Sequence, residues 1–167
     1  MLSSLHIENL ALIKNSTVEF GNGFNVLTGE TGAGKSLIMK ALKLLIGLKA
    51  STDDIRFGEE NAFAQGCFYV SDDIVKEKLS ELDIYPDEED NVFISRKIST
   101  DGKSVCKINE RPVSLSKLKT VSALLMDIHG QNDTGIIDEK SQLNIIDRFG
   151  KTDFSAYSTC YKNFYDE

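Results

Sequence analysis

Apolar and polar residues follow two periods along this chain, a period of two in short segments and a period of three to four in longer ones. The first is typical of β-strands and the second of amphipathic helices. Strands are predicted over residues 2–8, 18–20, 24–28, 64–70, 92–98 and 104–108. Helices are predicted after Ser36 to about Gly47, over 73–82, from Ser114 or Ser116 to about Met126, and over 140–149. This mixture of elements predicts an α/β fold.

Turns and an aromatic stripe complete the pattern. Asp101-Gly102 lies between two predicted strands and is a strong hairpin signal, and Asn109-Glu110 predicts another sharp turn. Near the end of the sequence, aromatic residues recur at helical spacing, which predicts a helix with one aromatic face. These residues are Phe154, Tyr157, Tyr161, Phe164 and Tyr165.

A glycine-rich segment between a predicted strand and a predicted helix is the main candidate site. Residues 29–36 fit Gly-x-x-x-x-Gly-Lys-[Ser/Thr] at every fixed position, in the context that this motif requires. The glycines expose main-chain N–H groups and the helix N-terminus adds partial positive charge, so the segment suits a polyphosphate. Lys35 is placed to reach the β- and γ-phosphates, and Ser36 to ligate Mg²⁺. The predicted nucleotide-binding residues are Gly29, Glu30, Thr31, Gly32, Ala33, Gly34, Lys35 and Ser36.

Composition narrows the class of protein. The 167 residues, 41% of them hydrophobic, suffice for one globular domain with a core. No apolar run approaches the ~20 residues of a membrane span, and the N-terminus lacks the features of a signal peptide. Three widely separated cysteines argue against a disulfide framework or a zinc site, so a reduced cytoplasm is expected.

Charge is distributed unevenly, although the net charge is −7. Residues 53–90 hold thirteen acidic and three basic side chains, whereas residues 96–119 hold seven basic and two acidic ones. The basic segment suits nucleic-acid phosphates, and equally a solvated strand face whose lysines protect a sheet edge. No base-reading element is recognisable, so DNA binding is expected to be sequence-independent and salt-sensitive.

Residues 127–131, Asp-Ile-His-Gly-Gln, allow three interpretations. Asp127 ends a Walker B strand, or the segment is the switch of a small GTPase, or Gln131 is the Q-loop glutamine of an ABC-type ATPase head. The long separation from Ser36 and the absence of an Asn-Lys-x-Asp guanine-reading element argue against the GTPase. No glutamate follows Asp127, which favours the Q-loop and leaves the Walker B interpretation open.

Several further segments carry a family resemblance. They are Leu5-x-Ile-x-Asn9-x-Ala11-Leu-Ile13, Val18-x-Phe20-x-x-Gly23-Phe-x-Val26 continuing to Ser36, Ile55-Arg56-x-Gly58, Arg96-x-Ile98-x-x-Asp101-Gly102-x-Ser104, Ile108-Asn109-x-Arg111-Pro112-Val113 and Asp127-Ile-His-Gly-Gln131. With these segments, residues 1–150 resemble the N-terminal portion of the RecN family, bacterial SMC-like DNA-repair ATPases of the ABC/Rad50 group. One departure is Glu110, where the family usually has glycine. A glutamate at φ > 0 costs about 1 kcal/mol, unless the turn is of another type.

The resemblance implies a P-loop NTPase fold of the ABC/SMC head type. Its N-terminal lobe has a mixed sheet with added antiparallel strands and helices around it. Residues 1–150 would form this lobe, with the Walker A loop and the Q-loop, and residues 151–167 the root of a coiled-coil arm helix. A C-terminal lobe with the signature motif and the catalytic carboxylate is expected elsewhere, so these residues alone are expected to show little or no turnover.

The resemblance also implies a function, an ATPase in DNA double-strand break repair and recombination whose heads dimerise on ATP. ATP and Mg²⁺ are the implied cofactors, with Ser36 and the catalytic Gln131 at the metal. The implied partners are DNA, the missing lobe, a second copy of the chain and the RecA recombinase, at the nucleoid in the cytoplasm and without a membrane. The alternative function is a self-contained small P-loop kinase or GTP-binding regulatory protein.

Candidate DNA contacts come partly from this resemblance and partly from the charge pattern. Arg56 matches the arginine of the R-loop in SMC heads, which links DNA to ATP, although it could instead cap Asp53 or Asp54. The remaining candidates belong to the basic segment. The predicted contacts are Arg56, Arg96, Lys97, Lys103, Lys107 and Arg111.

Overall fold

The computed structural model of the protein describes residues 1–29, 34–126, 128, 157, 159–161 and 164. It divides the chain into two compact units, Met1–Asp127 and Ile128–Glu167. The predicted boundary between residues 150 and 151 and the predicted helix over 140–149 lie outside the described residues and stay predictions.

The first unit contains a six-stranded sheet in the order β2-β1-β3-β4-β5-β6. Every registered strand pair in it is antiparallel, so the described residues show the antiparallel part of the predicted sheet and no parallel pair. The strands are β1 (Leu2–Leu10), β2 (Ile13–Glu19), β3 (Asn61–Tyr69), β4 (Asn91–Ser99), β5 (Ser104–Ile108) and β6 (Arg111–Val113). The helices are α1 (Lys35–Leu45), α2 (Asp73–Ser80) and α3 (Leu115–Leu125), with a short 3₁₀ helix over Thr52–Asp54.

The inner face of the sheet packs against α1. Side chains alternate between the two faces of a strand, and on β3 the inner positions Ala62, Ala64, Gly66 and Phe68 are buried. A Cβ at Gly66 would lie 2.8 Å from Cε2 of Phe68 and 3.0 Å from Cδ1 of Leu45. The helix therefore crosses the sheet where the strand has no side chain.

The core lies between this inner face and the helices. Its fully enclosed members come from strands and helices alike, as the amphipathic patterns predicted. They include Leu5, Ile7, Leu10, Leu45, Leu79, Ile94, Leu118 and Val121, each 0% exposed. No helix within the described part of the chain is long and apolar enough to cross a lipid bilayer.

The predicted strand over residues 24–28 is wrong. The segment has no regular structure, and Phe24, Val26 and Leu27 are 93%, 64% and 44% exposed. An isolated strand is not stable, because its N–H and C=O groups need a neighbouring strand. Among the described residues, none pairs with this segment.

The two predicted turns are confirmed. Gly102 has φ 80° in the turn between β4 and β5, where the Ser99 N–H donates to the Lys103 carbonyl at 2.9 Å. Asn109 and Glu110 have φ 46° and 63°, so both central residues between β5 and β6 are left-handed, as in a type I′ hairpin. Glu110 therefore occupies the strained backbone conformation that the sequence suggested.

The second unit is described at five positions of its final stretch. Tyr157, Thr159, Cys160, Tyr161 and Phe164 are helical, which agrees with the predicted aromatic helix at these positions. The rings of Tyr157 and Tyr161 stack with centroids 6.1 Å apart, and both side chains are exposed.

Candidate phosphate-binding site

The glycine-rich segment leads directly into α1. Gly34 is the N-cap residue, with φ 116°, a left-handed conformation that an L-residue rarely adopts. Its carbonyl accepts hydrogen bonds from the N–H groups of Leu37 and Ile38, both at 3.0 Å. Of the predicted nucleotide-binding residues, the structure places Gly29, Gly34, Lys35 and Ser36. Glu30, Thr31, Gly32, Ala33 and Gln131 lie outside the described residues.

The N-terminus of α1 differs from those of the other two α-helices. Asp72 caps α2 by accepting from the Ile74 N–H at 2.8 Å, and Ser114 caps α3 by accepting from the Lys117 N–H at 3.1 Å. No side chain in the described part of the chain caps α1, and its first turn contains no acidic residue. The positive end of the α1 dipole is therefore available to an anion.

Lys35 and Ser36 supply the side-chain groups at this helix end. Both are exposed, and the Lys35 ammonium donates to the carbonyl oxygen of Gly29, across the segment from its own position. An ammonium, a hydroxyl and an uncapped helix end together suit a polyphosphate and the hard cation that accompanies it.

A cavity of about 300 Å³ opens beside the glycine-rich segment. Apolar side chains of β1, β2 and α1 form much of its wall, which also includes Lys35. The lining residues are Ile7, Ile13, Ser16, Val18, Leu27, Thr28, Gly34, Lys35 and Ile38. Neither Ile13 nor Val18 was predicted to line the site, although the alternation along β2 places Val18 on the same side as Ser16.

Arg56 is held against the turn between β1 and β2. Its backbone N–H donates to the Asn9 carbonyl at 2.9 Å, and its Nη1 donates to the Leu12 carbonyl at 2.7 Å. Asp54, one of the acidic neighbours proposed for it, instead pairs with Lys40 at 2.6 Å. The half-buried guanidinium therefore fastens the β1–β2 turn.

Arg96 corrects the predicted set of DNA contacts. Its side chain is buried, 3% exposed, and points to the inner face, as do its neighbours Ile94 and Ile98. Nη1 donates to the carbonyls of Leu44 and Leu48 at 3.1 and 2.7 Å, and Nε donates to Ser104 Oγ at 2.9 Å. Burial lowers the pKa of this guanidinium from its ordinary value. Arg96 binds the C-terminal end of α1 and is not available to DNA.

The other members of the basic segment remain accessible. Lys97 and Arg111 are exposed, and Lys107 lies with its Nζ 3.9 Å from Glu110 Oε2. Lys103 pairs with Asp101 at 2.7 Å, and this bond raises the pKa of the lysine and lowers that of the aspartate. Four of the five basic residues predicted in the segment are thus placed where a polyanion can reach them.

An antiparallel sheet packed on a helix that begins at a Gly-x-x-x-x-Gly-Lys-Ser segment defines a P-loop nucleotide-binding domain. Comparison with protein families gives the same class. The chain belongs to the AAA domain family, whose family model matches residues 4–162.

Known relatives refine this assignment. The chain is 39% identical to the DNA repair protein RecN of Bacillus subtilis (strain 168) over 168 residues, which cover 99% of this chain and 29% of that relative. It is 36% identical to RecN of Halalkalibacterium halodurans over 169 residues, which cover 100% of this chain and 30% of the relative. The chain thus spans less than a third of the length of these relatives.

The fold recurs in solved structures. A chain from work on ATP-driven dimerization and DNA-stimulated activation of SMC ATPases superimposes with a TM-score of 0.61 at 20% identity, covering 98% of each chain. An SMC head bound to the C-winged helix domain of ScpA gives a TM-score of 0.62 at 24% identity, covering 81% of this chain and 44% of the other. At these identities the likeness shows the fold, that of an SMC-type ATPase head.

Proposed function

We propose that these residues form the ATP-binding half of an SMC-like ATPase head that acts in DNA double-strand break repair and recombination. The observation that carries the proposal is the uncapped N-terminus of α1, with Lys35 reaching across the glycine-rich segment to Gly29. The 39% identity to a DNA repair protein over nearly the whole chain supports the biological role. The comparisons give no support to a small kinase or a GTP-binding regulatory protein.

ATP is the proposed ligand, bound by the residues of the glycine-rich segment. The N–H groups between Gly29 and Ser36 and the Lys35 ammonium would hold the β- and γ-phosphates, and the neighbouring cavity would receive the rest of the nucleotide. The hydroxyl of Ser36 and the amide oxygen of Gln131 are hard oxygen ligands of the kind that Mg²⁺ takes. The cation neutralises phosphate charge when bound, and Gln131 would orient the attacking water.

A second lobe is the proposed partner within the same head. The exposed apolar segment at Phe24–Leu27 supports this, because an apolar segment that pairs with no described strand is suited to pairing with a strand from elsewhere. Hydrolysis would need the signature motif and the catalytic carboxylate of two such heads joined by ATP. These residues alone would therefore bind nucleotide and hydrolyse little or none of it.

DNA, RecA and a coiled-coil arm complete the proposal. The accessible lysines of the basic segment and Arg111 would contact DNA phosphates without reading bases. The stacked tyrosines of the final stretch would begin the arm helix. Such a protein would work at the nucleoid in the cytoplasm, where RecA also acts.

Nucleotide binding tests the central claim. Titration calorimetry of the purified chain with ATP and Mg²⁺ should show binding, and Lys35→Ala should abolish it because no other side chain replaces the ammonium at the phosphates. Lys49→Ala removes an exposed lysine just beyond α1 and should leave affinity unchanged. Unchanged ATP affinity in Lys35→Ala would overturn the assignment of the loop. Selective binding of GTP, or rapid turnover by these residues alone, would favour the alternative class.

A further inference from the structure

The outer face of the sheet carries a second cavity, separate from the phosphate loop. This face is the side of β1, β3, β4 and β5 opposite α1. The cavity has a volume of about 210 Å³ and is called the outer cleft below. Its lining residues are Phe63, Ser95, Lys97, Val105, Lys107 and Glu110.

Strand register fixes how these side chains are arranged. Phe63 on β3 lies opposite Lys97 on β4, and Lys97 in turn lies opposite Val105 on β5. The other β4 residue, Ser95, lies opposite Lys107. Along one row of the outer cleft, Lys97 therefore lies between an aromatic ring and a valine, and Lys107 lies in the next row on β5.

The apolar part of the outer cleft is open to solvent. Val105 is 48% exposed and Phe63 is half-buried, with its ring edge-to-face with His6 at a centroid distance of 6.2 Å. Ser95 is almost completely buried, 8% exposed, and lies at the base of the cleft. A flat apolar ligand fits such a surface better than water does, because aromatic and aliphatic groups gain from being covered.

The lysines of the outer cleft favour flat ligands that carry negative charge. Lys97 lies between Phe63 and Val105 in one row and Lys107 lies beside that row, so the cleft attracts anions although the net charge of the chain is −7. A nucleic acid strand offers both requirements at once, a base with a π-face and phosphates on either side of it. Bases of a duplex are stacked inside, so only an unpaired base can enter.

Glu110 determines which end of the outer cleft can receive a phosphate. Its carboxylate lies near Lys107, 3.9 Å away, and would repel a phosphate placed beside it. A carboxylate also accepts hydrogen bonds from the N–H donors of bases, whether exocyclic amino groups or the ring N3–H of thymine. The phosphates are thus expected on the Lys97 side, with the base edge towards Glu110.

We propose that the outer cleft binds one unpaired base of single-stranded DNA, with Phe63 stacking on the base and Lys97 pairing with a flanking phosphate. The choice of DNA rests on the proposed repair function, whereas the choice of an unpaired base rests on the cleft itself.

Tryptophan fluorescence tests the proposal directly, because the chain contains no tryptophan. The variant Phe63→Trp places the only indole in the outer cleft. Tyr69→Trp places it on the same face of the same strand, about 20 Å away, as a matched control. The probes are oligothymidylate, an abasic strand of equal length, and a duplex with the same number of phosphates, at low salt.

The expected result is quenching of the Phe63→Trp variant by oligothymidylate and not by the abasic strand or the duplex, with no change in Tyr69→Trp. By anisotropy, the wild-type chain should bind oligothymidylate about five-fold or more tightly than the abasic strand, as base stacking contributes. Phe63→Leu keeps an apolar side chain without a ring and should remove this difference, leaving binding to the abasic strand unchanged.

Other outcomes separate this proposal from the proposed function. Binding of oligothymidylate without quenching in Phe63→Trp would overturn the base site and leave DNA binding by the basic segment in place. Failure of every nucleic acid to bind would overturn both the base site and DNA binding by the basic segment. Equal quenching by an acidic peptide would overturn a nucleic-acid site, and a strong preference for oligouridylate would overturn the assignment to DNA.

Discussion

Nη1 of Arg96 lies 2.7 Å from the carbonyl oxygen of Leu48, just beyond the end of α1. The other end of this helix begins at Gly34 in the glycine-rich segment. The buried guanidinium of Arg96 on β4 therefore holds the C-terminal end of α1. The N-terminal end of the same helix lies at the candidate phosphate-binding site. The position of that helix depends on the sheet through this contact as well as through apolar packing.

Removing this guanidinium should destabilise the protein strongly. Arg96→Met keeps much of the apolar volume but removes the guanidinium donor from the Leu48 carbonyl and from the Leu44 carbonyl, which keeps only the Gly47 N–H, at a cost of about 2–4 kcal/mol in the free energy of unfolding. The adjacent Lys97→Met is the control and should change it by about 0.5 kcal/mol or less, because Lys97 is exposed. Urea denaturation measures both. Equal stability of the two variants would contradict the bonding described for Arg96.

Gly34→Ala should weaken both the fold and nucleotide binding. No described residue lies within 4 Å of a Cβ built at Gly34, so the expected effect comes from its φ of 116° and amounts to about 1–2 kcal/mol of strain. Relief of that strain would move the N-terminus of α1 and lower ATP affinity. Gly21→Ala is the control, because its nearest neighbour, Asn25 Oδ1, is 3.9 Å from the new Cβ and its φ is not positive. Thermal unfolding measures the loss of stability, and calorimetry measures ATP affinity. Full ATP affinity in Gly34→Ala would show that the conformation of Gly34 does not position the N-terminus of α1 for the nucleotide.

Glu110→Gly should stabilise the protein by about 0.5–1 kcal/mol, because glycine adopts φ 63° without strain. The neighbouring Asn109 also has a positive φ, but its replacement by glycine should destabilise the protein. Asn109 Oδ1 accepts from the Phe93 N–H at 2.8 Å, and its Nδ2 donates to the Tyr85 carbonyl at 2.7 Å. Asn109→Gly would lose both bonds and should lower the free energy of unfolding by about 1–2 kcal/mol. Chemical denaturation of the two variants should shift the midpoint in opposite directions.

The pKa of Asp101 should depend on Lys103. Hydrogen bonding to Lys103 lowers the pKa of the aspartate, so its contribution to stability is present above the ordinary value of about 3.9 and is lost as pH falls through the lowered pKa. The lysine pKa is raised, so the same pair weakens again as pH rises through that value. Both groups are solvent-exposed, so the contribution to stability is small.

An NMR titration of the Asp101 carboxyl measures this dependence. In Lys103→Met the pKa of Asp101 should return towards its ordinary value, whereas in Lys49→Met it should remain lowered. An Asp101 pKa that is the same with and without Lys103 would show that the ion pair does not form in solution.

The sequence was sufficient for most strands and for the helix that follows the glycine-rich segment, since these depend on local patterns. The Asp101-Gly102 hairpin was predicted correctly, and the structure selects Ser114 from the two serines predicted as the α3 cap, because both features follow from short-range backbone chemistry. The strand over 24–28 was predicted wrongly because a strand needs a partner, and partners are not encoded in the segment itself.

Whether an individual charged side chain is buried or exposed was harder to predict. Arg96 and Lys97 are neighbours of the same charge, yet one is buried and the other exposed. The alternation through Val92, Ile94 and Ile98 places position 96 on the inner face. The prediction grouped residue 96 with the exposed lysines by charge and did not use this alternation. The outer cleft depends on the register of three strands, which no local pattern specifies.

The glycine at position 66 has a consequence for how such domains diverge. A methyl group there would meet the ring of Phe68 and the end of Leu45 at 2.8 and 3.0 Å. Alanine at this position is expected only in homologues that have a smaller residue at 45 or 68, so the three sites should change together over evolution.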